Sequence, residues 1–129
     1  MPCAFDQSKR RAARRAKPNA ATEELCRLIE AAVAASFSIP CDELQAPTRG
    51  APMTAFARQC AMYLAHVVLG LGPSAVGLLF GRDRTTVAHA CRVIEERRDE
   101  PAVDNLLHAL EALSLDIARG FFARREARS

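Results

Sequence analysis

Apolar side chains recur along this chain at steps of three and four, and nowhere do they alternate with polar ones at a step of two. The first spacing lines one face of an α-helix, whereas a strand needs the second, so the pattern predicts an all-α fold. Leu25, Leu28, Ile29, Ala32, Val33 and Phe37 trace a first helix. Thr22 is its expected N-cap, Glu23 and Glu24 suit its positive end, and Ile39-Pro40 stops it. Asp42-Glu43-Leu44 predicts a single short helical turn, and residues 45–51, with Pro47 and Gly50, predict a loop. Pro52 opens the next helix, which runs to about Leu69 with Phe56, Cys60, Tyr63, Leu64 and Val67 inward. Gly70 ends it. A short helix over Pro73–Phe80 follows, Gly81 makes a turn, and Asp83 is the expected cap of a helix to about Arg98. Beyond Asp99-Glu100-Pro101 a last long helix carries Leu106, Leu107, Leu110, Leu113, Ile117 and Phe121.

A chain of 129 residues, half of them hydrophobic, suits one small helical bundle with a single core. Its net charge of +3 is unevenly spread. Residues 1–17 hold Lys9, Arg10, Arg11, Arg14, Arg15 and Lys17 against Asp6 alone, while the remainder has twelve bases and fourteen acids. Residues 1–21, basic and almost without large apolar side chains, therefore read as a disordered arm ahead of a domain over 22–125. The arm is either a solubilising tail or a set of nonspecific phosphate contacts.

Charge and cysteine patterns exclude other classes. Residues 59–81 contain no Asp, Glu, Lys or Arg, but Gly70-Leu71-Gly72-Pro73 breaks that run into two short helices, so no membrane span is expected. No secretory leader is evident, and a cytoplasmic, nucleoid-associated protein is expected. Cys3, Cys26, Cys41, Cys60 and Cys91 are odd in number and widely spaced, which fits reduced thiols and neither a disulfide framework nor a metal site.

The candidate chemistry lies in FGRDRTTVAHACRVIEE, residues 80–96. A short helix, a glycine turn and a longer helix form the outline of a helix-turn-helix. At about 100° per residue, Val87, Ala90, Cys91 and Ile94 gather on one side. Thr85, His89 and Arg92 gather opposite, with Ala88 beside them and Arg84 in the first turn. Arginine can donate bidentately to a guanine edge, threonine offers a hydroxyl and a methyl, and Ala88 permits close approach. After Asp83, that face meets no carboxylate before Glu95 and Glu96. Asp83 either caps the helix or also accepts from a cytosine amino group. A polar solvent face remains the plain alternative.

The run Phe80-Gly81-Arg82-Asp83-Arg84-Thr85-Thr86-Val87-Ala88-His89-Ala90 resembles the signature of the C-terminal DNA-binding domain, domain IV, of the bacterial replication initiators of the DnaA family. Arg58-Gln59-Cys60-Ala61-Met62-Tyr63-Leu64 and Val76-Gly77-x-x-Phe80 resemble two further stretches of that domain, and the likeness covers roughly residues 22–115. It implies a small, Trp-repressor-like helical bundle. It also implies a recognition helix that reads bases in the major groove of a short, non-palindromic DnaA box. Carried across by position, base reading falls on Asp83, Thr85, Thr86 and His89, and contacts near the backbone or groove edge on Arg58 and Gln59. Arg82, Arg84, Ala88 and Arg92 complete the expected DNA-binding set, with Arg49 from the preceding loop.

Three departures alter those expectations. Arg84 stands where the family usually has histidine, which should change base preference. One glycine of the customary pair before Arg82 is missing, so the turn should be tighter. The family's basic minor-groove loop is reduced to Arg49 within 45–57, which should weaken binding. No phosphate loop of the G-x-x-x-x-G-K type is present, nor a nucleophile–base pair, so neither nucleotide, cofactor, metal nor catalysis is expected. The expected role is sequence-specific binding of double-stranded DNA, as a transcriptional regulator or a modulator of replication initiation. The alternative is a protein-interaction adaptor on the same scaffold, with a homodimer or protein partner docked on the last helix.

Overall fold

The computed structural model describes residues 18–128, which form six α-helices. They are α1 (Ala20–Ser36), α2 (Cys41–Gln45), α3 (Pro52–Val67), α4 (Pro73–Phe80), α5 (Arg84–Arg97) and α6 (Pro101–Arg128). The all-α expectation holds, and each predicted helix is found.

Two caps differ from expectation. The N-cap of α1 is Asn19, whose side-chain oxygen accepts from the Thr22 N–H at 2.8 Å. Asparagine outcompetes the threonine because its carbonyl reaches the third N–H of the helix from an extended backbone. Asp83 stands at the N-cap position of α5, yet its carboxylate makes no capping bond; it accepts instead from the Thr85 hydroxyl at 3.0 Å.

Proline and glycine set the other boundaries. Pro52, Pro73 and Pro101 each open a helix, where the missing N–H costs nothing. Gly70 follows α3 with φ +70, and the His66 ring contacts the Leu71 carbonyl through Nδ1 at 2.6 Å, closing that corner.

The core runs between all six helices. Leu25, Ile29 and Val33 of α1, Leu44 of α2, Cys60 and Leu64 of α3, Val76 of α4, Val87 and Ile94 of α5, and Leu107 of α6 are all essentially inaccessible. Helix α5 packs on both α3 and α4, and α6 lies mainly across α1. Leu28 and Leu113, expected on core stripes, are 44% and 41% exposed, and Leu28 borders an open groove between α1 and α6 that Ile117 and Phe121 also line.

Arg98 fastens the end of α5 to its neighbours. Its Nε donates to Asp104 Oδ1 at 2.7 Å, and its Nη1 donates to the Tyr63 hydroxyl at 3.2 Å and to Glu111. Burial opposes its charge, but the hydrogen bonds from Asp104, Glu111 and Tyr63 outweigh burial and raise its pKa. Among the described cysteines, Cys26, Cys60 and Cys91 are buried and Cys41 is exposed. Burial pushes the Cys26 and Cys60 thiols up to about 12, so they are packing groups rather than nucleophiles. Among the described residues no helix is long and apolar enough to cross a membrane.

Candidate nucleic-acid interface

The two faces of α5 separate as its periodicity predicts. Val87, Ala90, Cys91 and Ile94 are buried, while Arg84, Thr85, Thr86, Ala88, His89 and Arg92 are exposed. The exposed set forms a continuous polar surface with two arginines and no carboxylate within it. His89 Nδ1 and the Arg92 guanidinium lie 3.5 Å apart, a long contact that groups them on one turn. The hydrogen bond from Thr85 to Asp83 fixes the threonine hydroxyl at the leading end of this surface.

The turn that presents α5 depends on two glycines. Gly81 ends α4 in the left-handed conformation, φ +64 and ψ 38, which costs glycine almost nothing. The Arg82 N–H then donates back to the Gly77 carbonyl at 2.9 Å. Gly77 answers a different need. A Cβ there would lie 2.5 Å from the Arg82 carbonyl oxygen, so α4 and the turn touch backbone to backbone. Gly81 is the one left-handed residue of this turn, and Gly77 permits the close approach.

The loop before α3 lies against the same corner. Arg82 reaches across to donate to the Ala46 carbonyl. Arg58 donates through Nε to the Leu44 carbonyl at 2.8 Å, through Nη1 to the Arg49 carbonyl at 3.1 Å, and through Nη2 to the Glu43 carbonyl at 3.0 Å. Those acceptors are two carbonyls near the end of α2 and one of the loop that follows, and that of Glu43 also accepts from the Ala46 N–H at 3.2 Å. Arg49 itself is exposed, and Gly50, with φ +72, turns the chain toward α3.

Arg58 therefore differs from its expected place at a DNA backbone. It is 5% exposed, with three donors committed to carbonyls. Burial lowers its pKa, with the nearby Arg82 charge adding to the effect. Arg82 is half-buried and also engaged, and Gln59 is half-buried on α3. The sequence offered no sign of this, because backbone carbonyls carry no residue-type signal. Lys9, Arg10, Arg11, Arg14, Arg15 and Lys17 lie outside the described residues. Among the described residues no group of three His, Cys, Asp or Glu side chains is placed to hold a metal ion.

Comparison with known proteins agrees with this geometry. The family described as the bacterial dnaA protein helix-turn-helix matches residues 26–94. The chromosomal replication initiator protein DnaA of Bifidobacterium animalis subsp. lactis is 40% identical over 73 residues, which is 56% of this chain and 12% of that protein. Its counterpart from Acinetobacter baumannii (strain AYE) is 39% identical over 90 residues, 65% of this chain and 19% of that protein. The crystal structure of a DNA replication initiation factor superposes with a TM-score of 0.69 at 28% identity, covering 74% of this chain and 30% of that one. The chain thus spans less than a fifth of the length of these two initiators. With more than half of its residues inside the family match, the chain belongs to the bacterial DnaA helix-turn-helix family.

Proposed function

We propose that this protein binds double-stranded DNA in a sequence-specific manner, with α5 in the major groove. It acts at DnaA-box-like sites on the nucleoid, as a transcriptional regulator or a modulator of replication initiation. The observation that carries this reading is the exposed run from Arg84 to Arg92, polar and free of carboxylates, mounted on a buried stripe from Val87 to Ile94. Arg84, Thr85, Thr86 and His89 are the base-reading side chains, joined by Asp83 as an acceptor, and Ala88 lets the helix sit deep. Supporting contacts with DNA are assigned to Arg92 and Gln59, and one from the loop to Arg49. The names of the relatives support replication as the setting.

Fluorescence anisotropy on two short duplexes tests it, one carrying a DnaA box and one scrambled, across a salt series. Preference for the box should persist at about 150 mM salt, where nonspecific attraction is weak. Arg84→Ala should change preference at one base position, by about tenfold, whereas Arg10→Ala should weaken all sequences alike. Uniform loss in both variants would remove α5 from the recognition role.

A second reading is favoured by a separate observation. Leu28 of α1 and Leu113, Leu115 and Phe122 of α6 are exposed, which suits a second copy or a protein partner on α6. Sedimentation at several concentrations separates the two readings, since self-association through α6 predicts a dimer that Phe122→Asp dissolves.

A further inference from the structure

Two arginines that look like phosphate ligands spend their donors inside the protein. Arg58 holds the carbonyls of Glu43, Leu44 and Arg49, and Arg82 holds that of Ala46. The backbone from the end of α2 to Arg49 is thus gripped at four points, and Gly50 turns away immediately after the last of them. Arg82 is itself anchored, with its N–H on Gly77 and its carbonyl packed where a Cβ at Gly77 would otherwise stand. The turn that aims α5 and the loop that carries Arg49 are consequently parts of one rigid corner.

We infer that Arg58 and Arg82 are positioning residues: they clamp the 46–50 loop so that Arg49 is held at a fixed offset from α5, ready to enter the groove next to the one α5 reads. This rests on the DNA-binding reading above. It explains how a loop with a single cation can still contribute. One arginine neutralises little phosphate charge, so its contribution depends on not having to be ordered when DNA arrives. A clamped backbone has lost that freedom already on folding. The residue pattern supports the same division of labour, since the buried arginine makes three contacts with carbonyls while the loop's exposed arginine is left at the surface.

The test uses the full chain with Arg82→Gln, Arg49→Ala and the double variant; Arg58→Lys serves as the milder second probe of the clamp, because a buried Arg58→Ala protein risks not folding. Two measurements are made. In the free protein, hydrogen exchange of the Leu44 and Ala46 amides, which donate to the Pro40 and Glu43 carbonyls at the clamped end of the loop, should quicken by about tenfold in Arg82→Gln and in Arg58→Lys, with the amides of α3 unchanged. Unchanged loop exchange in both variants overturns the clamp, whatever the protein does with DNA. On the box duplex, each single variant should weaken binding by about five- to tenfold, and the double variant by no more than about twofold beyond the weaker single. If the two losses multiply, Arg82 acts on DNA independently of Arg49 and the positioning role fails. A wild-type protein that does not prefer the box sinks the DNA-binding reading instead, and the exchange measurement still decides the clamp.

Discussion

Glu30 places a carboxyl inside the helical core, 3% exposed, with Gln45 Nε2 donating to it at 2.8 Å and the Cys26 sulfur 4.0 Å away. Burial raises its pKa more than the Gln45 hydrogen bond and the Arg27 charge lower it. A carboxyl with a raised folded pKa binds its proton more tightly in the folded state than in the unfolded one. Stability should therefore increase as pH falls through that raised value and stop increasing below the ordinary carboxylate range. Glu30→Gln, which keeps an oxygen for Gln45 and carries no charge, should melt a few degrees higher than the wild type at about pH 7. That advantage should shrink toward about pH 5. Thermal unfolding at both values checks it, and an advantage independent of pH would contradict the assignment. Arg58 meets backbone carbonyls, partners that its residue type does not announce. An arginine looks alike in sequence whether its donors meet a phosphate or a carbonyl, and only the fold brings the end of α2 within its reach. Asp83 holds the N-cap position that the sequence predicts, but the Thr85 hydroxyl takes up its carboxylate in place of the helix N–H groups.

At the scale of elements, the helix-turn-helix corner is held by contact rather than by length. Gly77→Ala forces a methyl against the Arg82 carbonyl, which cannot yield because the Arg82 N–H and guanidinium are both engaged. The variant should lose about 2 kcal/mol of stability, read as a lower urea midpoint with an unchanged slope. A midpoint equal to wild type would mean that α4 and the turn can separate freely. Helices themselves were legible because buried stripes repeat at 3.6 residues, as Val87, Ala90, Cys91 and Ile94 do. Periodicity marks a face without saying whether anything covers it. Leu28 and Leu113 therefore read as core and are found exposed. On α4, Leu78 is 77% exposed while Val76 is fully buried. The loop clamp was illegible for a different reason, because it joins residues 36 positions apart through a carbonyl acceptor.

For the whole molecule, charge and reach are separated along the chain. Residues 18–129 carry twelve bases against fourteen acids, so the chain's excess of positive charge lies with the six cations of residues 9–17. Deleting residues 1–17 should flatten the dependence of log affinity on log salt by up to about 5, while leaving the preference between box and scrambled duplex in place. An unchanged slope would show that the arm stays off the phosphates. The extent of α5 sets a further limit. From Arg84 to Arg92 the helix rises by about 12 Å, at about 1.5 Å per residue, against about 3.4 Å for each base pair. One helix lying along the groove therefore inspects about four base pairs, a word that recurs by chance every few hundred. Discrimination on the scale of a genome requires a longer word, and Arg49, held at a set distance from α5, is placed to lengthen it.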